Sequence, residues 1–208
     1  MLVRYHIDIT RQAIGAQVGA HALQVILRAN VGQDSLIHQV GRDQYHFDNN
    51  RIKASNAYIE EQRIAVFSSL ARSDVRAAWQ AFGRMIHTVQ DFYSHSDYVP
   101  RWLSRFRGET MPPPEAIDPV CAEVLEDPGL HTGMFNHPLE ILAFLPSLRK
   151  LILPFLPANS HAQMNHDGPH VSAQFDYVFQ ASVKRTRLEF EKTTSQLSPE
   201  HLSSFIDR

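Results

Sequence analysis

Apolar positions recur at helical spacing along most of the chain. Ile14, Val18, Leu23, Ile26 and Leu27 mark one face of a helix predicted over 9–29, with Thr10 as its cap. Asn, Gly and Asp clusters over 30–50 read as a loop, or as a short helix with loops. A second helix is predicted over 54–71. A third starts from a Ser73 cap and runs to about Ser96, where Pro100 stops it. Prolines and glycines crowd 107–138, predicting irregular loops with one short helix near 115–126. An oily stretch over 139–157 is cut by Pro146, Pro154 and Pro157, and a loop follows to about 169. A long helix is expected over 169–194, then a short one after Ser198 with Pro199 at its first position. No stretch alternates with period two over a useful length. The pattern predicts an all-α, compact multi-helix bundle, one domain over 1–208, with long loops around 107–138 and 154–169.

The third helix departs from an ordinary amphipathic pattern. His87, Asp91 and His95 stand at four-residue intervals, within about 80° on one helical face. Gln80 and Arg84 share that stripe, while Ala78, Phe82, Met85, Val89 and Phe92 mark the other side. A solvated stripe carries Lys and Glu, and none occurs from Val75 to Pro100. The stripe therefore reads as enclosed. Two imidazoles and a carboxylate taken out of water need partners. Either a bound divalent cation or a hydrogen-bonded polar network supplies them, and the spacing alone does not choose.

Composition sharpens this picture. The chain has 208 residues, 43% hydrophobic and 20% charged, so it has enough length for a substantial core. Net charge is -2 and basic residues do not cluster in sequence, so there is no strong nucleic-acid signal. Cys121 is the only cysteine, which excludes intrachain disulfides and cysteine-based zinc sites. No signal-like leader or membrane-length apolar run is present, so the expectation is a cytoplasmic chain. Twelve histidines stand against only Lys53, Lys150, Lys184 and Lys192.

Further His and Asp residues lie at helix starts and loops: His6 in "HIDIT", Asp34 and His46 in the second loop, and His161, His166, Asp167 and His170 in "SHAQMNHDGPH". An interior metal site in a helical bundle is assembled from several such segments. Nitrogen and oxygen donors suit zinc best, with manganese or iron as alternatives. More than four ligands implies more than one ion.

The stretch "FGRMIHTVQDFYSHSDYV" resembles the zinc-dependent phospholipase C and single-strand nuclease superfamily, in particular its Het-C-type and GPI-anchor phospholipase D branch. "HIDIT", "VGQD", "YHF" and "HAQMNHD" resemble its other ligand segments in order. The resemblance implies an all-helical fold and two or three zinc ions. It implies metal ligation by His6, Asp34, His46, His87, Asp91, His95, His161 and Asp167, with Asp34 also the catalytic base. The secreted relatives begin with a ligating amino-terminal tryptophan, and here Met1 stands in its place. The expected function is a zinc-dependent phosphoric ester hydrolase with phospholipase C-like cleavage by a metal-bound hydroxide. The expected partner is a phosphate ester, such as phospholipid, with peripheral membrane contact through 139–157. The rival readings are a non-catalytic, metal-stabilised Het-C-type protein in binding or signalling, a single-strand nuclease, an HD-type phosphohydrolase and a helical domain with no metal.

Overall fold

The computed structural model describes residues 1–35, 41–135, 140–143 and 146–208. Helices dominate: α1 Val3–Ile14, α2 Ala20–Gly32, α3 Ile52–Ala71, α4 Val75–His95, α5 Tyr98–Ser104, α6 Ala122–Leu125, α7 Glu140–Ala143, α8 Pro146–Ile152, α9 His161–Met164, α10 Phe175–Thr194 and α11 Pro199–Ile206. Short 3-10 turns lie at Asp43–Tyr45, Pro114–Ala116 and Leu153–Phe155. Among the described residues there is no strand, only the isolated bridges Ser96–Thr132 and Met134–Ser160. The expectation of an all-helical chain holds, and no described helix is long and apolar enough to cross a membrane.

Helix α4 is the axis of the bundle, flanked by α2, α3 and α10, with α11 across its start. From Ala78 onward nearly every α4 residue is buried, polar ones included. That is why the sequence puts no Lys or Glu there: a helix enclosed on all sides cannot leave a long charged side chain in water. Gly83 sets the closest approach. A Cβ at that position would stand 2.4 Å from the Ile26 carbonyl oxygen and 2.8 Å from the Ala29 Cβ of α2. The α2 and α4 backbones meet there because no side chain intervenes.

Three boundary predictions are corrected. The single helix expected over 9–29 is two helices, broken at 15–19. Gly19 N donates to the Ile206 carbonyl at 2.7 Å, and a Cβ on Gly19 would stand 2.5 Å from the Asp207 carbonyl oxygen. Asp207, in a left-handed conformation after α11, accepts from Ala22 N and so caps α2 from the far end of the chain. Local periodicity cannot register a cap supplied from that distance. Ser73 is not the cap of α4. It takes φ +59° and closes α3, while Asp74 accepts from Ala77 N at 3.0 Å and caps α4. The long helix begins at Phe175 rather than near 169. The Ser198 cap and Pro199 start of α11 stand as expected.

The proline-rich region over 107–138 contains the turn Pro114–Ala116 and the short helix α6. Its carbonyls are met by side chains from the bundle: Tyr93 donates to Pro119, Tyr98 to Asp118, Tyr177 to Pro112, and Lys184 to Glu115 and Ile117. Trp79 and Trp102 are buried packing residues, and Trp79 donates to the Phe205 carbonyl at 2.7 Å. In the loop expected over 154–169 the chain forms α9. Of the oily segment, Ala143 and Leu156 join Ala162 in a small satellite core, while Leu151 and Phe155 are 64% and 69% exposed. Phe144 and Leu145 lie outside the described residues.

An ion-pair network ties α3 to α10. Arg63 Nη2 donates to Glu189 Oε2 at 2.7 Å, and Arg185 Nε donates to Glu189 Oε1 at 2.7 Å. The side chains of Arg63 and Glu189 are 5% and 4% exposed. Burial alone would raise the Glu189 carboxyl, but Arg185 and Arg63 hold it below its ordinary 4.5.

Two predictions follow from this packing. Helix propensity favours Gly83→Ala by about 1 kcal/mol. The contact with the α2 backbone reverses the sign, and chemical denaturation is expected to show a net loss of about 2 kcal/mol. A gain would show that α2 gives way. Because its folded pKa is depressed, Glu189 adds stability that is present above pH 4.5 and lost as pH falls through its lower, folded value. Glu189→Gln is therefore expected to cost about 2 kcal/mol near neutral pH, since it leaves buried Arg63 with only the exposed Glu60 as its carboxylate and takes the carboxylate from Arg185. The deficit is expected to shrink in acid, and a pH-independent deficit counts against the network.

A buried histidine and aspartate cluster

Five segments converge on the second half of α4. His6 lies on the buried face of α1, one turn before Thr10. Asp34 follows α2. His46 follows the turn Asp43–Tyr45, and α4 supplies His87, Asp91 and His95. His161 opens α9, and Asp167 lies in the loop beyond it. All eight residues singled out from the sequence meet here. Asp91 is the centre. Its Oδ2 lies 2.9 Å from His46 Nδ1 and 3.0 Å from His87 Nε2, and its Oδ1 lies 3.3 Å from His6 Nε2. Asp34 approaches His87 Nε2 at 3.7 Å and His6 Nε2 at 4.0 Å.

Gln90, one residue before Asp91, determines which way the His6 ring faces. Its Nε2 donates to Thr10 Oγ1 and Thr186 Oγ1, both at 3.1 Å, and its Oε1 accepts from Asn30 Nδ2 at 3.1 Å. The second lone pair of Oε1 faces His6 Nδ1 at 2.7 Å, so that nitrogen carries the hydrogen. His6 Nε2 then faces the Asp91 carboxylate and makes no hydrogen bond in the described structure. Asn30 Oδ1 lies 3.3 Å from His87 Nδ1 and orients that ring in the same way. His46 Nε2 is likewise buried without a hydrogen bond. Burial pushes the His87 imidazolium down to about 4, so His87 is neutral near pH 7.

A second group lies alongside. Asp48 Oδ1 is 2.9 Å from His161 Nδ1 and 3.1 Å from His95 Nδ1, which also faces the His46 carbonyl oxygen at 2.8 Å. Asp48 is a site residue that sequence reasoning missed, as are Asn30 and Gln90. The signal for Asp48 was faint. Phe47, Asn49 and Asn50 all take φ between 53° and 57°, so the backbone winds left-handed around Asp48. Asparagine tolerates that conformation and phenylalanine does not, so Phe47 is held there by its burial against Phe92.

Positive charge faces these carboxylates. The Met1 α-amino group is 2.9 Å from Asp91 Oδ1 and 3.2 Å from Asp167 Oδ1. Burial opposes its charge, but Asp167, Asp91 and Asp34 raise it to about 11. His95 is opposed by burial and by that amine, and Asp91, Asp48 and Asp167 raise it to about 10. Asp91 is held well below the usual carboxylate range: burial raises it, and the Met1 and imidazole charges outweigh burial.

Two sets of donors have ligand atoms all within 4.8 Å of one another: His6, Asp34, His87 and Asp91, and Asp48, His95 and His161. A cavity of about 150 Å³ opens beside them, lined by Asp34, His46, Asp48, His95, His161 and Asp167, among others. His166 stands apart, with Nδ1 2.6 Å from Ser172 Oγ, and His170 is exposed.

Comparison with known proteins overturns the family resemblance drawn from the α4 motif. Residues 9–126, which include that motif, match the family model described as the VWA7 N-terminal domain. Over 123 residues the chain is 31% identical to von Willebrand factor A domain-containing protein 7 of Rattus norvegicus, covering 52% of this chain and 13% of that protein. Over 118 residues it is 32% identical to the Homo sapiens protein of the same name, covering 50% and 13%. The chain thus spans about an eighth of the length of these relatives. No solved structure matches it. The assignment to zinc-dependent phospholipases and nucleases is therefore withdrawn. With it go the phosphoric ester hydrolase, nuclease and HD-type readings and the catalytic role given to Asp34. The physical reason is that H-x-x-x-D-x-x-x-H is what any helix needs to place three polar side chains on one buried face, whatever they do there. The matched region covers more than half of the chain, from α1 to the end of the proline-rich loop's short helix, and the chain belongs to the VWA7 N-terminal domain family.

Proposed function

We propose that this domain is a metal-stabilised helical module, and that its interior cluster is a divalent-cation clamp joining α1, α2 and α4. The observation that carries this reading is that His6 Nε2, which makes no hydrogen bond in the described structure, and His87 Nε2, which also lies 3.1 Å from His46 Nδ1, both face the carboxylates of Asp91 and Asp34. A lone pair facing a carboxylate is repulsive unless positive charge lies between them. Two imidazoles and two carboxylates are a donor set suited to zinc, with manganese or iron as alternatives. Four protein donors fill a tetrahedral zinc shell, which is the composition of a structural site rather than one kept open for a reactant. Gln90 and Asn30 orient the two rings. Asp48, His95 and His161 form a three-donor group beside the first, and we assign it a second ion, whose binding displaces the proton that the neighbouring carboxylates otherwise hold on His95. The cation's contribution is charge, which lets buried carboxylates from separate segments stay together.

The test is metal analysis combined with thermal unfolding. The purified chain is expected to carry one to two equivalents of zinc. After chelation, restoring zinc to about a hundredfold excess over its dissociation constant is expected to restore about 2.7 kcal/mol. Asp34→Asn and His87→Ala are both expected to abolish that increment. A metal content well below one equivalent, together with unfolding indifferent to chelator and zinc, would sink the reading.

A second reading concerns the segment after α7. Leu151 and Phe155 stand out into solvent, with exposed Lys150 beside them. We propose peripheral contact with an anionic lipid surface through this edge. Arg149 takes no part, because its Nη2 donates to the Ala162 carbonyl and to Asn165 Oδ1. Vesicles rich in phosphatidylserine are expected to sediment the protein, and Leu151→Ser with Phe155→Ser to reduce the bound fraction at least fivefold. Equal binding by the double variant and the parent would remove this reading.

A further inference from the structure

Away from the histidine cluster, the seam between α2 and α4 opens into a cleft of about 300 Å³. It is lined by Val25, Arg28, Ala29, Gly32 and Gln33 from α2 and its end, and by Arg76, Gln80 and Arg84 from α4. Arg76, Gln80 and Arg84 follow one another at four-residue intervals, and Arg28 and Gly32 do the same, so each helix turns one stripe into the cleft. Among the described residues none of the three arginines forms an ion pair, and α2 contains no acidic residue. Exposed Glu61, like Arg84, influences the Tyr58 hydroxyl, and among the described residues it forms no ion pair with Arg84.

Two features distinguish this cleft from a solvated basic surface. Arg84 is half-buried, and its Nε donates to Gln62 Oε1 at 2.7 Å, so its guanidinium is held rather than mobile. Gln33 is buried and fixed in turn by Tyr58, to which its Nε2 donates at 2.9 Å. Among the described residues the wall opposite is open: a Cβ on Gly32 would meet none of them within 4 Å. Three guanidinium groups that repel one another around a pocket with a fixed member are arranged for an anion.

We infer that this cleft binds a tetrahedral oxyanion, a sulfate or phosphate group, carried on a small organic molecule. The planar forks of Arg28, Arg76 and Arg84 suit such an oxyanion, Gln80 adds an amide, and Val25 and Ala29 offer apolar surface to the carrier. The volume sits at the lower end of small-molecule sites and exceeds what a lone ion fills. Binding alone is inferred, with no bond made or broken. The inference does not rest on the metal reading, although the two sites share a seam: Gln33 precedes Asp34, and Arg84 lies one turn before His87.

Calorimetric titration with phenyl sulfate and phenyl phosphate, against inorganic sulfate and phosphate at constant ionic strength in chloride, tests this. Saturable binding is expected, and Arg28→Gln with Arg76→Gln is expected to weaken it at least tenfold. Both residues are exposed, so that variant is expected to unfold at the parent's temperature. The aryl esters binding more tightly than the inorganic ions would support a carried oxyanion. Inorganic ions binding equally well would support the arginine site while replacing the carrier with the free ion. No saturable binding at about 10 mM, well above a dissociation constant of ~1 mM, would overturn the proposal. So would undiminished binding by the arginine variant. Binding lost in His87→Ala but kept in the arginine variant would place the anion at the histidine cluster and also overturn it.

Discussion

A carboxylate that loses its water must regain comparable stabilisation from its surroundings, and Asp91 loses all of it. It is wholly buried in the central helix, where four histidine and amine nitrogens lie within 3.3 Å of its two oxygens. Much of the bundle can be described as what it takes to bring those nitrogens there. Helix α1 must present His6, the backbone after His46 must wind left-handed, and α2 must come close enough for Asn30 to orient His87. Gly83 makes that last approach geometrically available, because nothing larger than a hydrogen fits between the two backbones.

Polar burial is therefore organised in layers. The innermost is the set of carboxylates and imidazoles. Around it, Gln90, Asn30, Thr10 and Thr186 form an amide and hydroxyl belt that joins α1, α2, α4 and α10. Such a belt is stabilising only when complete, since each unsatisfied member in a low-dielectric interior costs the full desolvation of its group. All four hydrogen-bonding capacities of Gln90 are engaged. Farther out, Arg63, Glu189 and Arg185 repeat the principle with a second buried charge network between α3 and α10. The apolar core fills the space between, and its aromatic members Phe82, Phe190 and Phe205 lock α11 against the start of α4.

The family comparison changes what this architecture is evidence for. A helix carrying His, Asp and His at four-residue spacing reads as a hydrolytic zinc centre when the motif is considered alone. The match over 9–126 places the same residues in a domain of longer proteins that bear the name of another domain type. Asp34, His46, Asp48, His87, Gln90, Asp91 and His95 fall inside the matched region, and His6, His161 and Asp167 fall outside it. Geometry thus unites residues that the sequence match separates. Chemistry and ancestry answer different questions about such a site.

The sequence by itself determined the helical class and the enclosure of α4, and it offered the His and Asp residues that converge, although the choice of eight among them came with the family resemblance and not with spacing. The first two follow from local rules: period 3.6 and the cost of burying Lys or Glu. Asp48, Gln90 and Asn30 were not legible, because nothing in their local spacing marks an amide or a carboxylate as an orienting partner. The break between α1 and α2 was not legible either, since its cap comes from Asp207. The cleft of Arg28, Arg76 and Arg84 was hidden most completely. The basic residues do not cluster in sequence, and only the packing of two helices around Gly83 makes neighbours of them. Tertiary structure decided these features because each depends on atoms that the chain brings together only after it has closed on itself.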